Sequence, residues 1–235
     1  MPNDRGLPPG QHRVEGFPRF GAHLHRPPPA VPADPVIEVR GAVTGGFDLP
    51  VAALSTLPRR EVPADFHCVA GWSATDLRWE GVSFGALYRA VVEPALPPGT
   101  SITHVRCRGL DGWESVLTLE DALADDVLVA ENLDGRPLDG DHGAPVRLVS
   151  PRQYGYISVK HLSRIEVLTA APRRVESPLL RSHPRARVWE EERHGLLPGR
   201  VVRPVYRALI APIRYLGARG SRPARPPGGG PAPPG

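Results

Sequence analysis

The chain has 235 residues, 40% of them hydrophobic, enough for one domain with a substantial core, while its 30 prolines and 25 glycines crowd the two ends. The net charge of +4 comes from arginine concentrated after Arg173, whereas the middle of the chain carries Glu120, Asp121, Asp125, Asp126 and Glu131, so the core is no nucleic-acid platform. Cys68 and Cys107 have no CxxC or zinc spacing and give no disulfide framework, and no run approaches the roughly 20 apolar residues that a spanning helix needs. The opening MPNDRGLPPG has no basic stretch followed by an apolar one and no twin arginine at Arg5, which implies a cytoplasmic protein.

Four segments follow from composition. Residues 1–35 form a proline-rich, extended lead outside the core, 36–170 the core domain, 171–218 a basic helical tail, and 219–235 a Pro/Gly-rich end expected to be disordered. In chain order, Val36–Gly41 alternates as a strand, and Gly45-Gly46 turns it into Phe47–Pro50 as a hairpin. Val51–Leu57 reads as a short helix stopped by Pro58, and Val62–Val69 as a strand or loop leading into Cys68.

Phe84, Leu87, Tyr88, Val91 and Val92 fall on one helix face, with Ser83 as N-cap and Pro94 just beyond the end. Residues 102–108 and 113–117 form a second hairpin about Asp111-Gly112, and Thr118 caps a short helix from Leu119. Residues 127–132, 146–149 and 161–168 read as further strands. Ala186–Gly195 predicts a helix closed by Gly195, and Val205, Leu209, Ile213 and Leu216 share one face of another, interrupted at Pro212. Short helices among strands, without long crossover helices, predict an α+β fold with mixed, largely antiparallel sheets.

Cys68 lies between His67 and a glycine-bearing turn. A lone buried cysteine is most often a small hydrophobe. A thiolate nucleophile beside His67 is the alternative, although no acid or amide is visibly placed in the sequence to orient that histidine. Arg147 follows a Gly-Ala-Pro turn, and Lys160, the chain's only lysine, ends the loop Tyr154–Lys160.

FHCVAGWS at 66–73, SFGALYRAV at 83–91, HVRCRGLDGW at 104–113 and GAPVRLVSPRQYGYISVK at 143–160 resemble, in order, the molybdopterin-binding domain of the sulfite-oxidase-like oxidoreductases. That family includes periplasmic methionine-sulfoxide reductases, and the lead stretch LPPGQHRVEGFPRFG is more weakly similar to it. The resemblance implies a molybdenum–molybdopterin cofactor with Cys68 as thiolate ligand to the metal and catalytic centre, a soft donor that suits molybdenum beside the pterin's sulfurs. It further implies that His142, Arg147, Ser158, Val159 and Lys160 bind the pterin and its phosphate: Arg147 through its guanidinium fork, Ser158 and Val159 through backbone N–H groups, Lys160 through its ammonium. Cys107 receives no ligand role.

The implied reaction is a two-electron oxygen-atom transfer on a small molecule, of which sulfur compounds are one class. Arg106, Arg108 and Arg152 are candidates for an anionic substrate, and Gly109 stands where relatives tend to carry a hydroxyl residue. With no haem domain before the core and no immunoglobulin-like domain after it, electrons are expected to pass to or from a separate partner. The basic tail is a candidate for docking that partner or for peripheral membrane contact through 200–218, with packing on its own domain as the plainer reading. The reading from another class is a non-catalytic domain of the same fold that binds a protein through its arginine-rich tail.

Overall fold

The computed structural model describes residues 6–20, 26–172, 183–192 and 199–220. The lead contributes β1 (His12–Arg13), and the first expected hairpin forms from β2 (Val36–Gly41) and β3 (Phe47–Pro50), with Val39 opposite Phe47. Alternation sends Ile37 and Val39 fully inward. Residues Val51–Thr56 make a tight helical turn that ends before Pro58, followed by β4 (Arg59–Pro63), β5 (Phe66–His67), β6 (Trp72–Ala74) and β7 (Arg78–Ser83).

Ser83 caps α1 (Phe84–Leu87), its hydroxyl accepting from Ala86 N, and helical backbone continues to Ala95, so that Pro94 sits in the last turn rather than beyond it. The second hairpin is β8 (His104–Gly109) with β9 (Glu114–Thr118), and Thr118 caps α2 (Leu119–Ala122). Then come β10 (Leu128–Leu133), β11 (Arg136–Pro137), β12 (Arg147–Val149), β13 (Leu162–Leu168) and α3 (Gly199–Gly220).

Among the described residues these strands form three sheets. The first runs β3-β2-β13-β8-β9, the second β11-β10-β7-β4 with β12 also on β10, and the third β1-β6-β5. Most pairings are antiparallel; β13 with β2 and β1 with β6 are parallel. The fold is α+β.

The second sheet has an apolar layer on each side. Val82, Val129 and Leu148 join Ile37, Val39, Val105, Ile165 and Val167 of the first sheet in one core cluster. Their neighbours Trp79, Leu128, Ala130 and Val149 join Cys68, Trp72 and Ala74 of the third sheet in the other. Burying apolar side chains on both faces is what makes residues 128–130 one continuous apolar run.

Three expectations are corrected. The lead is extended, yet it is not apart from the core, because Phe17 and Phe20 pack into the second cluster. Within 186–192 there is no helix: Ala186 is left-handed, Glu191 accepts from the backbone N–H groups of Arg185 and Ala186, and Arg187 bridges to Gln153, contacts that hold the backbone extended and turned. Residues 193–195 lie outside the described residues. Helix α3 runs through Pro204 and Pro212 instead of breaking at Pro212; both prolines are exposed, where the carbonyls they leave unpaired cost least. The expectation for 219–235 falls outside the described residues from 221 onward.

Candidate cofactor site

Cys68 occupies the turn between β5 and β6. Its N–H donates to Trp72 O at 2.8 Å, its carbonyl accepts from Gly71 N at 2.8 Å and from Gln11 Nε2 at 3.1 Å, and Gly71 takes the positive φ of 95° that closes the turn. The residue is 7% exposed. Cys107, by contrast, is sealed in β8, where burial pushes its thiol up to about 12 and leaves it inert.

Next to Cys68, His67 is held by a polar chain that the sequence did not reveal. Its Nδ1 lies 2.8 Å from Ser73 Oγ, and Ser73 in turn donates to Gln11 Oε1 at 3.1 Å. The serine's single proton is thereby used, so Nδ1 carries the proton toward Ser73. Burial lowers the pKa of His67, against a weaker opposing pull from Asp65, which favours the neutral ring.

The turn ahead of β12 is organised by Asp139, whose backbone carbonyl accepts from the N–H groups of His142, Gly143 and Ala144. The His142 ring lies between Asp139 Oδ1 and Phe17 O, each 2.8 Å from one ring nitrogen, and stacks on Phe17 at 4.9 Å. Arg147 is 0% exposed and donates to His142 O at 2.9 Å and Ser158 O at 3.0 Å. Its guanidinium carbon stands 5.2 to 5.9 Å from the ring centres of Trp79, Phe66 and Phe17. No carboxylate among the described residues pairs with it, and burial pushes it down to about 9, still a cation at neutral pH.

Lys160, half-buried, is the second cation. Its ammonium donates to Asp141 O at 2.6 Å; burial foremost, then the charges of Arg147 and Arg19, push it down to about 7, with Asp141 and Asp111 opposing. Gly143 brings the two cations together. At φ 109° a Cβ there would stand 3.1 Å from Lys160 Cα and 3.2 Å from Arg147 Cβ, a gap that only glycine fits without strain.

The loop between β12 and β13 is fastened to the cysteine-bearing strand, since Gly155 donates to His67 O at 2.7 Å and sits so close to the Phe66 ring that a Cβ would collide with its Cζ. The Ser158 hydroxyl accepts from Ser150 N, while Ser158 N donates to Gly155 O and Val159 N to Ile157 O. Those two N–H groups therefore shape the loop, and the charged donors of the site are Arg147 and Lys160.

The structure hydrogen-bonds Arg147 to His142 and Ser158, sets Lys160 beside them across Gly143, and joins Cys68 to the group through Phe66, His67 and Gly155. It does not gather the arginines considered for substrate: Arg106 pairs with Glu166, Arg108 with Glu114, and Arg152 with Asp126. Missing from the sequence reading were Phe17, Arg19, Phe66, Trp72 and Trp79. The Trp72 and Trp79 indole N–H groups are buried with no acceptor among the described residues, and Arg19 reaches Asp141 at 3.5 Å. Signals for them in the sequence were the place of Phe66 and Trp72 in the FHCVAGWS motif and the aromatic pair Phe17 and Phe20 inside a proline-rich stretch.

This donor set fits a flat, anionic cofactor. A buried and a half-buried cation with no carboxylate ion pair among the described residues call for an anion, two indole donors with no acceptor among those residues call for acceptors, and aromatic faces suit a planar ring system. Residues 25–175 match the model of the oxidoreductase molybdopterin binding domain, and the chain belongs to that family.

Among curated relatives, it is 36% identical over 132 residues to the uncharacterized oxidoreductase YuiH of Bacillus subtilis, covering 55% of this chain and 63% of that protein. The protein-methionine-sulfoxide reductase catalytic subunit MsrP of Xanthomonas campestris is 30% identical over 121 residues, 45% of this chain and 36% of that one. MsrP of Gluconobacter oxydans is 28% identical over 153 residues, 58% of this chain and 47% of that one. The chain thus spans less than two thirds of each of these relatives. Among solved structures, sulfane dehydrogenase SoxCD from Paracoccus pantotrophus shares the fold, with a TM-score of 0.51 and 22% identity over 61% of this chain and 39% of that one.

Proposed function

We propose that the chain is a molybdenum–molybdopterin oxidoreductase that transfers an oxygen atom, with two electrons, to or from a small molecule, and that sulfur compounds are the first class to test. Two of the relatives named above carry sulfur chemistry in their names, methionine-sulfoxide reduction and sulfane dehydrogenation. The observation that carries the reading is the pair Arg147 and Lys160, neither in an ion pair among the described residues, beside the turn that bears Cys68.

In this reading the bound group supplies the two-electron redox change and the open coordination positions at the metal. The rest falls to the protein. Cys68 provides the thiolate, set by a turn whose backbone groups are tied to Trp72, Gly71 and Gln11. Arg147 and Lys160 hold the phosphate end, with His142, Ser158 and Val159 shaping the walls, and Phe17 excludes water from the guanidinium. Electrons pass to or from a separate partner protein.

The test is molybdenum analysis with pterin fluorescence after oxidative release, on wild-type protein and Cys68→Ser made in a host that synthesises the cofactor. Near-stoichiometric molybdenum and pterin in the wild type, with metal and turnover lost in Cys68→Ser while its circular dichroism is unchanged, is the expected result. Absence of both from the wild type, under conditions that load a relative, would sink the proposal.

A further inference from the structure

Strands β5 and β6 pair antiparallel, with Phe66 opposite Ala74 and His67 opposite Ser73, so their side chains alternate between two faces. Phe66 stacks on Trp72 and faces the guanidinium of Arg147. His67 and Ser73 take the other face. Strand β1 runs parallel along β6, with His12 opposite Trp72, and this places Gln11 of the lead beside both the Ser73 hydroxyl and the cysteine turn.

One atom fixes the direction of every proton in this group. The Cys68 carbonyl can only accept, so Gln11 turns its Nε2 toward it, at 3.1 Å. That leaves Gln11 Oε1 to take the Ser73 hydroxyl proton, also at 3.1 Å. Ser73 Oγ is then an acceptor for His67, whose Nδ1 stands 2.8 Å away and carries the hydrogen. The result is a one-way chain from His67 through Ser73 and Gln11 to the Cys68 carbonyl. Ser73 and Gln11 each accept on one side and donate on the other, so each bond polarises the next.

The same carbonyl receives Gly71 N at 2.8 Å, and Cys68 N donates to Trp72 O at 2.8 Å. With Gln11 in place, both lone pairs of the carbonyl and the N–H of Cys68 are used, and the direction of its Cα–Cβ bond is set. The ribbon does not need this chain in order to pair, since the β5–β6 ladder already does that. His67 and Ser73 are 6% and 0% exposed, where apolar side chains would pack without the cost of desolvating polar groups. A fully satisfied polar network in such a place rigidifies one geometry.

We propose that Gln11 is a positioning residue, which sets through the Cys68 carbonyl the direction in which the cysteine presents its sulfur, the outer-shell support that tunes a metal-binding ligand. This role rests on the molybdenum–molybdopterin reading.

The experiment compares wild type, Gln11→Met and Gln11→Glu as full chains made in a host that synthesises the cofactor. Gln11→Met removes both bonds at nearly constant length, whereas Gln11→Glu keeps the acceptor for Ser73 and removes the donor to Cys68. Both variants are expected to hold molybdenum and pterin at the wild-type stoichiometry, while the thiolate-to-molybdenum absorption band shifts in each. In NMR spectra of nitrogen-labelled histidine, with the His67 signal identified by its loss in His67→Gln, wild type and Gln11→Glu should show the Nδ1–H form. Gln11→Met should lose it, because the serine proton is then free to turn toward Nδ1. An unshifted band in both loaded variants, with faster cleavage at Arg13 by an arginine-directed protease, would show that Gln11 merely fastens the lead and would overturn the proposal alone. Loss of the cofactor from both variants would overturn it too, since Gln11 would then hold the whole site together. A wild-type His67 protonated on Nε2 would break the chain at its start. Wild-type protein without molybdenum would sink the cofactor reading and this role together.

Discussion

Gly109 lies directly against the carbonyl of Lys160. A Cβ built on Gly109 would stand 2.7 Å from Asp111 Oδ1 and closer still to Lys160 O, so the end of β8 presses on the residue that carries the buried ammonium. A side chain at this position cannot be accommodated without moving that backbone. Gly109→Ser should therefore lower stability by about 1–3 kcal/mol through overpacking, and should loosen cofactor retention with it. Urea unfolding of the cofactor-free protein and pterin content of the loaded protein check the two effects separately.

Lys160 sets a pH dependence. Its folded pKa is pushed from the ordinary 10.5 down to about 7, so between those values the unfolded chain binds the proton that the folded one has released. Stability of the cofactor-free chain should accordingly rise as pH climbs from about 7 toward 10.5, and the ammonium's burial penalty should be present in full below 7. Lys160→Met should abolish that slope and stabilise the cofactor-free chain below pH 7 by an amount on the order of a few kcal/mol. An anionic ligand reverses the balance: it favours the ammonium, so its binding takes up a proton and weakens as pH rises past about 7. Urea midpoints across pH, with and without Lys160→Met, would show no difference in slope if the ammonium were solvated.

Arg147→Met separates binding from stability. The change leaves His142 O and Ser158 O without their donor, at about 1–3 kcal/mol, but it also removes a buried charge that has no carboxylate partner. These effects oppose one another. The unfolding free energy should shift by no more than about 2 kcal/mol, whereas pterin retention should fall by about tenfold or more. Chemical denaturation and fluorescence of released pterin make the comparison.

Phe17→Ala addresses the lead segment. The ring touches Phe66 at 4.8 Å, Trp79 at 5.7 Å and His142 at 4.9 Å, so its loss should cost about 2–4 kcal/mol and free the lead from the body. Cleavage at Arg13 and Arg19 by an arginine-directed protease should then quicken, and unchanged cleavage would show that β1 alone secures the segment.

Both hairpins are legible in the sequence because alternating residues meet Gly45-Gly46 and Asp111-Gly112. Strands β6 and β7 are not. Trp72, Ser73 and Ala74 are all buried, which erases the alternation, and Gly81 reads as a breaker while it in fact admits the backbone of Val129 and Ala130, with Ala130 Cα 2.7 Å from where a Cβ would stand. The Glu191 side-chain bonds to the backbone of Arg185 and Ala186 and the bridge of Arg187 to Gln153 are invisible to a periodicity count, and over 186–192 they decide against the expected helix. In the site, Cys68, Arg147 and Lys160 stand out through their surrounding motifs. Phe17 and Arg19 do not, since proline-rich composition argues against a core role and only tertiary packing gives them one.

Strand β13 is the centre of the first sheet, between β2 and β8, and it is the last strand among the described residues. During synthesis β2 must wait for a parallel neighbour made more than a hundred residues later, as the pairing of Val39 with Ile165 requires. Until then the ribosome-bound domain holds two open strand edges and an unformed Ser158–Lys160 loop, because that loop leads directly into β13. Sheet closure and completion of the two-cation cluster are thus one late event, and a chain stopped short of residue 168 would have neither a finished core nor a place to hold its anion.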